Sequence, residues 1–210
     1  MNEIRAKRTR ERRICQGDIL GDVEHIDSVK RAGDFIEISK TIFPRVVVLS
    51  QDCDLEQYFR SLLPEGSNAN HDKHLVSVLV APLYNAEHVF IGEHLSDLGL
   101  KMQIINKAKT PGKSLMNNET PRYHYLEFPK DVQLPPLVID FKHYFSVNVE
   151  YLKKIKPKKF ICQVGELFRE DISQRFAAFL CRIGLPDPPK PKQVPNQFPA
   201  SSPAAASTTA

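Results

Sequence analysis

Residues 43–55, which read FPRVVVLSQDCDL, join a hydrophobic run to a polar cluster. Positions 45–49 form a nearly continuous β-branched and apolar run, typical of a strand that is buried on both faces. Pro44 lacks an N–H and is tolerated at the first position of a strand, so the strand is predicted to begin there. Polar residues at 50–54 then lead into apolar side chains at helical spacing. The pattern predicts a central strand, a polar turn and a short helix over residues 54–63.

Shorter apolar or alternating runs predict further strands. They lie at residues 16–23, 34–39, 75–83, 123–128, 137–141, 144–149 and 160–164. Ile172, Phe176 and Phe179 recur at helical spacing, and Gly184 followed by Pro186 is typical of a helix terminus. The order lacks the regular alternation of strand and helix that predicts a parallel sheet. We therefore expect a mainly β protein, a small curled barrel with a C-terminal amphipathic helix.

The two ends of the chain differ in composition from its middle. Residues 1–13 are basic and have little to bury, which predicts a flexible solvated arm. Residues 186–210 are rich in Pro, Ala and Ser, and this composition predicts disorder. Residues 14–185 are predicted to form a single domain. Within it we expect a solvated basic loop at 153–159 and a mobile insertion after residue 101.

Composition narrows the class of protein. The 210 residues are 41% hydrophobic and 26% charged, as in ordinary globular domains, and the formal net charge of +4 permits contact with nucleic acid without requiring it. No apolar run approaches the roughly 20 residues of a membrane-spanning helix, and no secretory signal follows the basic N-terminus. The four cysteines are far apart, with no C-x-x-C pair, which argues against a zinc ribbon and a redox motif. A cytoplasmic protein without a cofactor is expected.

The order of several short motifs resembles a known family. Gly17-Asp18-Ile19 opens the first strand, residues 44–50 read PRVVVLS, a later strand ends in Pro82-Leu83, and residues 161–165 lead into the terminal helix. This order is similar to that of the PemK/MazF growth-inhibitor toxins. Relative to that family the chain carries insertions at residues 56–72 and 101–122.

The resemblance implies an SH3-like β-barrel, a homodimer and a metal-independent endoribonuclease that cleaves single-stranded RNA. It also implies a small antitoxin as a partner. In active members an arginine precedes a proline, whereas here Pro44 precedes Arg45. A shift of one residue along a strand directs a side chain to the opposite face.

RNA cleavage requires a general base, a general acid and a cation on the phosphate. Asp52 or His74 is the candidate base, His124 the candidate acid, and Arg45 or Arg122 the candidate clamp. Further candidate binding residues lie in the polar turn and the aromatic strand: Ser50, Cys53, Asp54, Tyr123 and Tyr125.

Structural explanations for the same residues remain open. The aromatic strand at 123–128 could have one face in the core, and Asp140 could pair with Arg45. Asp52 or Asp54 could cap the helix, with Cys53 half-buried beside it.

Two other functional classes also remain open. Cys53, Asp54, His71 and His74 are ligand types that suit zinc. Alternatively, the barrel is a non-catalytic interaction module that scaffolds a protein or nucleic-acid partner.

Overall fold

The structure, a computed structural model, describes residues 5–8, 10–63 and 71–182. Its strands are β1 Ala6–Lys7, β2 Asp18–Ala32, β3 Phe35–Val48, β4 Ser77–Asn85, β5 Tyr123–Leu126, β6 Leu137–Asp140, β7 Phe145–Asn148 and β8 Phe160–Val164. Its α-helices are α1 Asp52–Ser61, α2 Ala86–Ile91, α3 Thr110–Met116, α4 Val149–Lys159 and α5 Glu166–Leu180. Short 3-10 turns occur at Ser96–Leu98, Lys130–Val132 and Phe141–His143.

All eight strands belong to one antiparallel sheet. Its order is β1-β8-β2-β3-β4-β6-β5, and β7 also pairs with β4. The predicted mainly β class is confirmed, but the sheet is a curled half-barrel with β1 and β5 at its edges. A closed barrel was expected, and no pairing joins those two edges within the described residues.

The predicted central strand is confirmed. Val46, Val47 and Val48 of β3 pair with β4, and Val46 and Val47 also pair with β2. Val47 faces one hydrophobic cluster and its two neighbours face another. The prediction that the strand begins at Pro44 is wrong, because β3 begins at Phe35. Pro44 is tolerated there because β3 pairs with β4 only from Val46 onward.

Helices cover both faces of the sheet. Ile172, Phe176 and Phe179 of α5 pack on one face. Leu55 of α1 and Leu152 of α4 pack on the other. α1 follows the central strand directly, and α5 follows β8. Among the described helices, none is long and apolar enough to cross a bilayer.

β2 and β3 form a hairpin that extends beyond the sheet. Gly33, with φ of 63°, lies in its turn, where a left-handed backbone favours glycine. β2 pairs with β8 only at residues 18–20, and β3 pairs with β4 only at residues 46–48. The outer residues of the hairpin therefore pair only with each other. The sequence pattern had suggested two separate short strands here.

Two predicted loops are helical. The basic segment 153–159 lies within α4, whose first turn is capped by the Asn148 side chain, and Lys156 is buried. The predicted mobile insertion contains α3, where a Cβ on Gly112 would lie 2.4 Å from the Asn106 carbonyl oxygen. Such close backbone contact indicates an ordered segment.

The described part of the basic N-terminal arm is attached to the domain. Ala6 and Lys7 pair with β8, and the Arg8 and Arg10 guanidinium groups donate to carbonyl oxygens of Asp131 and Pro157. This differs from the predicted solvated arm. The predicted disordered tail, residues 186–210, lies outside the described residues, as does most of the loop in the predicted 56–72 insertion.

Candidate functional site

A cavity of about 290 Å³ opens at the base of the β2–β3 hairpin. Three parts of the chain form its wall: residues 41–45 of β3, residues 82–85 of β4, and the segment from α2 onward. That segment contributes His88, His94, Leu95, Asp97 and Leu98. The cavity therefore lies where the central strand and its neighbour β4 meet α2 and the following turn.

Arg45 supplies a cation to this wall. It is partly buried and pairs in register with Gly21 on β2. Among the described residues its guanidinium has neither a hydrogen-bond partner nor an ion-pair partner. Asp97 also lines the cavity but is exposed and forms no ion pair with Arg45. A partly buried arginine without a counter-charge is suited to bind an anion.

Tyr84 and His94 form an aromatic part of the same wall. Their ring centroids are 4.9 Å apart in an edge-on arrangement. Both ring nitrogens of His94 are buried and lack hydrogen-bond partners within the described part of the chain. Unpaired buried polar atoms are uncommon in proteins, so His94 is a candidate for contact with a ligand.

A charged network lies behind Tyr84. The Tyr84 hydroxyl is 3.1 Å from His143 Nδ1, which lies 3.5 Å from Asp140 Oδ2. Asp140 accepts hydrogen bonds from Arg122 Nε at 2.8 Å and Arg122 Nη2 at 2.5 Å, and its side chain is 1% exposed. The anticipated pairing of Asp140 with Arg45 is therefore wrong, because Arg122 holds that carboxylate. Arg45 is left free.

Burial sets the protonation of the two histidines. It lowers the pKa of His94 and of His143, and the negative charge of Asp140 opposes this effect only in part. Both imidazoles are therefore neutral at pH 7. A neutral imidazole can accept a proton, and Arg45 adds a cation to the wall that His94 also lines.

The candidate base Asp52 is engaged elsewhere. Its oxygens accept hydrogen bonds from Arg13 at 2.9 and 2.8 Å and from the Gln16 N–H at 3.0 Å, and Arg169 lies 3.5 Å away. Burial would raise the pKa of this carboxyl, but its hydrogen bonds with Arg13 and Gln16 outweigh that effect and lower it. Asp52 is thus a structural anion. It does not cap α1, because Gln51 is the N-cap residue and its side chain makes no capping hydrogen bond.

The two candidate histidines lie in different surroundings. His74 is exposed, with its ring edge-on to Tyr58 of α1 at 5.5 Å. His124 is 2% exposed, and burial lowers its pKa to about 3. A histidine sealed in the core does not reach a phosphate in solvent, so the role of acid predicted for His124 conflicts with its position.

The candidate binding residues do not form one surface. Ser50 accepts a hydrogen bond from the Leu79 N–H at 2.8 Å, which is a structural role. Cys53 and Asp54 are exposed at the start of α1, although Cys53 was anticipated to be half-buried. Tyr123 and Tyr125 pack against the small cluster beneath α2 and α3, so their rings are not an open stacking platform.

The alternative metal site is not assembled. In the described ranges, no group of three or more His, Cys, Asp or Glu side chains could hold a metal ion. This applies to the set of Cys53, Asp54, His71 and His74, which had appeared suited to zinc.

Tyr84, His88, His94 and His143 were not identified from the sequence. Tyr84 and Asn85 follow the second buried strand as the polar turn follows the first. This similarity between the two strand ends could have identified Tyr84 from the sequence, because polar residues at strand ends often form functional sites. The contact between Tyr84 and His143 joins residues 59 positions apart, and no local pattern indicates it.

Comparisons with protein families, with characterised proteins and with solved structures give no match to this chain. The function is therefore argued from the cavity and its surroundings.

Proposed function

We propose that the chain binds single-stranded RNA, with one phosphate of the RNA held by Arg45 in the cavity. The observation that carries this proposal is the partly buried guanidinium that has no partner among the described residues. Guanidinium groups bind phosphate through two parallel N–H···O hydrogen bonds, so a free arginine in a concave wall suits this ligand.

The neighbouring side chains favour a nucleotide over a simple anion. Tyr84 and His94 offer aromatic surface, and Asn85 and His88 add hydrogen-bonding groups to the wall. Single-stranded RNA is bound through stacking and hydrogen bonds on exposed bases together with contacts to its phosphates. The cavity combines these features within about 290 Å³, near the lower end of ligand-site volumes.

The proposed fold relationship is an SH3-like barrel of the PemK/MazF type that has opened along one side. The curled antiparallel sheet and the terminal helix α5 are consistent with it. In this proposal Arg45 takes the place of the arginine beside proline, and it faces the cavity although the order of the pair is inverted.

Cleavage of the bound RNA would use a histidine of the wall. His88 or His94 would accept the proton of the 2′-hydroxyl as its oxygen bonds to the phosphorus, and Arg45 would stabilise the charge that develops on the phosphate. The bond from phosphorus to the 5′-oxygen would break as a 2′,3′-cyclic phosphate forms, and the 5′-oxygen would take a proton from water. No metal takes part in this scheme. Asp52 and His124 are not assigned to it, because one is held by Arg13 and the other is buried.

The test is fluorescence anisotropy with a labelled single-stranded RNA, using the full chain. Arg45→Ala is expected to weaken binding at least about tenfold, since a charge-assisted hydrogen-bond pair is lost. Arg60→Ala is the matched control, because Arg60 is exposed on α1 and does not line the cavity. It should bind nearly as the unaltered chain does.

Binding should also weaken as salt increases, because phosphate contacts release counterions. Equal affinities for Arg45→Ala and Arg60→Ala, or no salt-dependent binding, would contradict the proposal. Gel analysis of the same mixtures reports whether the RNA is also cleaved.

A further inference from the structure

The cavity wall carries a second unpaired charge, opposite in sign to that of Arg45. Asp97 is the middle residue of the 3-10 turn Ser96–Leu98, and its exposed side chain lines the cavity. Among the described residues its carboxylate has neither a hydrogen-bond partner nor an ion-pair partner. A phosphate held by Arg45 would leave this carboxylate free to accept hydrogen bonds from another part of the ligand.

Two exposed apolar side chains line the same cavity. Ile42 of β3 is 51% exposed, and Leu98, which follows Asp97 in the chain, is 46% exposed. A flat base that covers these side chains would remove apolar area from water, which favours binding. The wall therefore offers apolar surface to a base next to an acceptor for the edge of that base.

Asn85 adds a hydrogen-bond donor to the wall. It is the N-cap residue of α2, and its side-chain oxygen accepts the Glu87 N–H at 2.9 Å. Because that hydrogen bond engages the oxygen, the amide nitrogen is the group that Asn85 can offer to a ligand. The cavity thus combines an acceptor-only group at Asp97 with a donor at Asn85.

These groups match the pairing edge of guanine. That edge carries two adjacent donors, the N1–H and the N2 amino group, beside the O6 acceptor, and a carboxylate can accept from both donors at once. Adenine and cytosine place a ring acceptor nitrogen next to their amino group, and uracil has a single N–H between two carbonyl oxygens. Each of these three bases would direct an acceptor at Asp97, which is unfavourable.

We propose that the cavity is specific for guanine, with Asp97 accepting the N1–H and N2 amino hydrogens and Asn85 donating to O6. This inference rests on the proposed binding of single-stranded RNA, in which Arg45 holds a phosphate of the same strand. Contacts to phosphate position the strand but carry no information about the base. Asp97 is therefore the residue that determines specificity, and Arg45 supports the binding of any sequence.

Fluorescence anisotropy with the full chain and labelled uridine hexamers tests this specificity. One hexamer is all uridine, and the others carry one central guanine, adenine, cytosine or inosine. The guanine hexamer is expected to bind at least about tenfold more tightly than the uridine, adenine and cytosine hexamers, because a charge-assisted hydrogen-bond pair is added. Inosine keeps O6 and N1–H but lacks the N2 amino group, so its hexamer should bind with intermediate affinity.

Asp97→Asn should reduce the preference for guanine to within about twofold, because one carboxylate oxygen is replaced by a donor. Asp131→Asn is the matched control. Asp131 is also the exposed middle residue of a 3-10 turn, Lys130–Val132, and does not line the cavity. It removes the same charge from the chain and should leave the full preference for guanine.

A preference for guanine that survives Asp97→Asn would overturn the inference. Equal affinities for all the hexamers, together with weaker binding by Arg45→Ala, would also overturn it but would leave the proposed binding of RNA intact. Failure of every hexamer to bind the unaltered chain would contradict the proposed function, and the specificity with it.

Discussion

His124 is a residue of β5 with 2% of its surface exposed, and its Nε2 is 4.0 Å from Asp171 Oδ2. Its Nδ1 is buried without a hydrogen-bond partner among the described residues. Burial is the main cause of its low pKa of about 3, and the positive charge of Arg175 adds to it. His124 is consequently neutral in the folded chain at every pH above that value.

This burial predicts a loss of stability in acid. The unfolded chain binds a proton at His124 below a pH of about 6.5, whereas the folded chain does not until about pH 3. Because the unfolded state binds more protons in this window, the free energy of unfolding contributed by His124 falls as pH falls through it. The slope from this one group is at most about 1.4 kcal/mol per pH unit.

His124→Phe removes the titrating group. Urea unfolding followed by circular dichroism at several values between pH 7 and pH 4 should show a shallower decline for this variant. A decline parallel to that of the unaltered chain would mean that His124 is accessible to protons in the folded state.

Among the elements, α4 shows how a basic segment becomes part of the core. Lys156 Nζ donates to Asp18 Oδ2 at 2.5 Å and also to the Arg13 carbonyl oxygen, and both side chains of the pair are at most 3% exposed. Asp18 also accepts the Cys15 N–H at 2.8 Å. Burial raises the pKa of Asp18 to about 6 despite its contact with Lys156. The pair joins α4 to the start of β2.

Breaking this pair should destabilise the fold strongly. Lys156→Met leaves Asp18 buried without its partner, and we expect a loss of about 3 kcal/mol or more in the free energy of unfolding. Lys159→Met is the control, because the pair of Lys159 with Asp22 is largely exposed and should contribute less than about 1 kcal/mol. Urea unfolding at pH 7 measures both.

The double variant Lys156→Met with Asp18→Asn should recover part of the loss, since no buried charge is then left unpaired. Equal effects of the Lys156 and Lys159 substitutions would show that the buried pair does not hold α4 to the sheet.

The sequence predicts β3 but not α4, and the residues of the two elements explain the difference. The valines at 46–48 identify a strand buried on both faces without any knowledge of its neighbours. Residues 153–159 are basic and contain Pro157, a composition that favours a loop. Lys156 of this helix contacts Asp18 more than 130 positions away, and sequence periodicity cannot reveal such a contact.

For the whole molecule, the cavity also depends on contacts between distant residues that sequence patterns do not reveal. Arg45 was identified because it follows Pro44 in the central strand, but its neighbours come from β4, α2 and the turn after α2. Candidates chosen for nearness in sequence to the central strand, such as Asp52 and Cys53, lie at the start of α1 and do not line the cavity. The residues of the candidate site are brought together by the curvature of the sheet, so nearness in sequence to the central strand does not identify them.

The most direct test of the central claim is to follow the arginine Nε–Hε resonances by proton–nitrogen NMR while single-stranded RNA is added. The Arg45 resonance, assigned from its absence in Arg45→Ala, should shift strongly at low salt and return as salt is raised. The Arg60 resonance should stay nearly fixed. If Arg45 does not move while arginines outside the cavity do, the RNA binds elsewhere and the account of the cavity is contradicted.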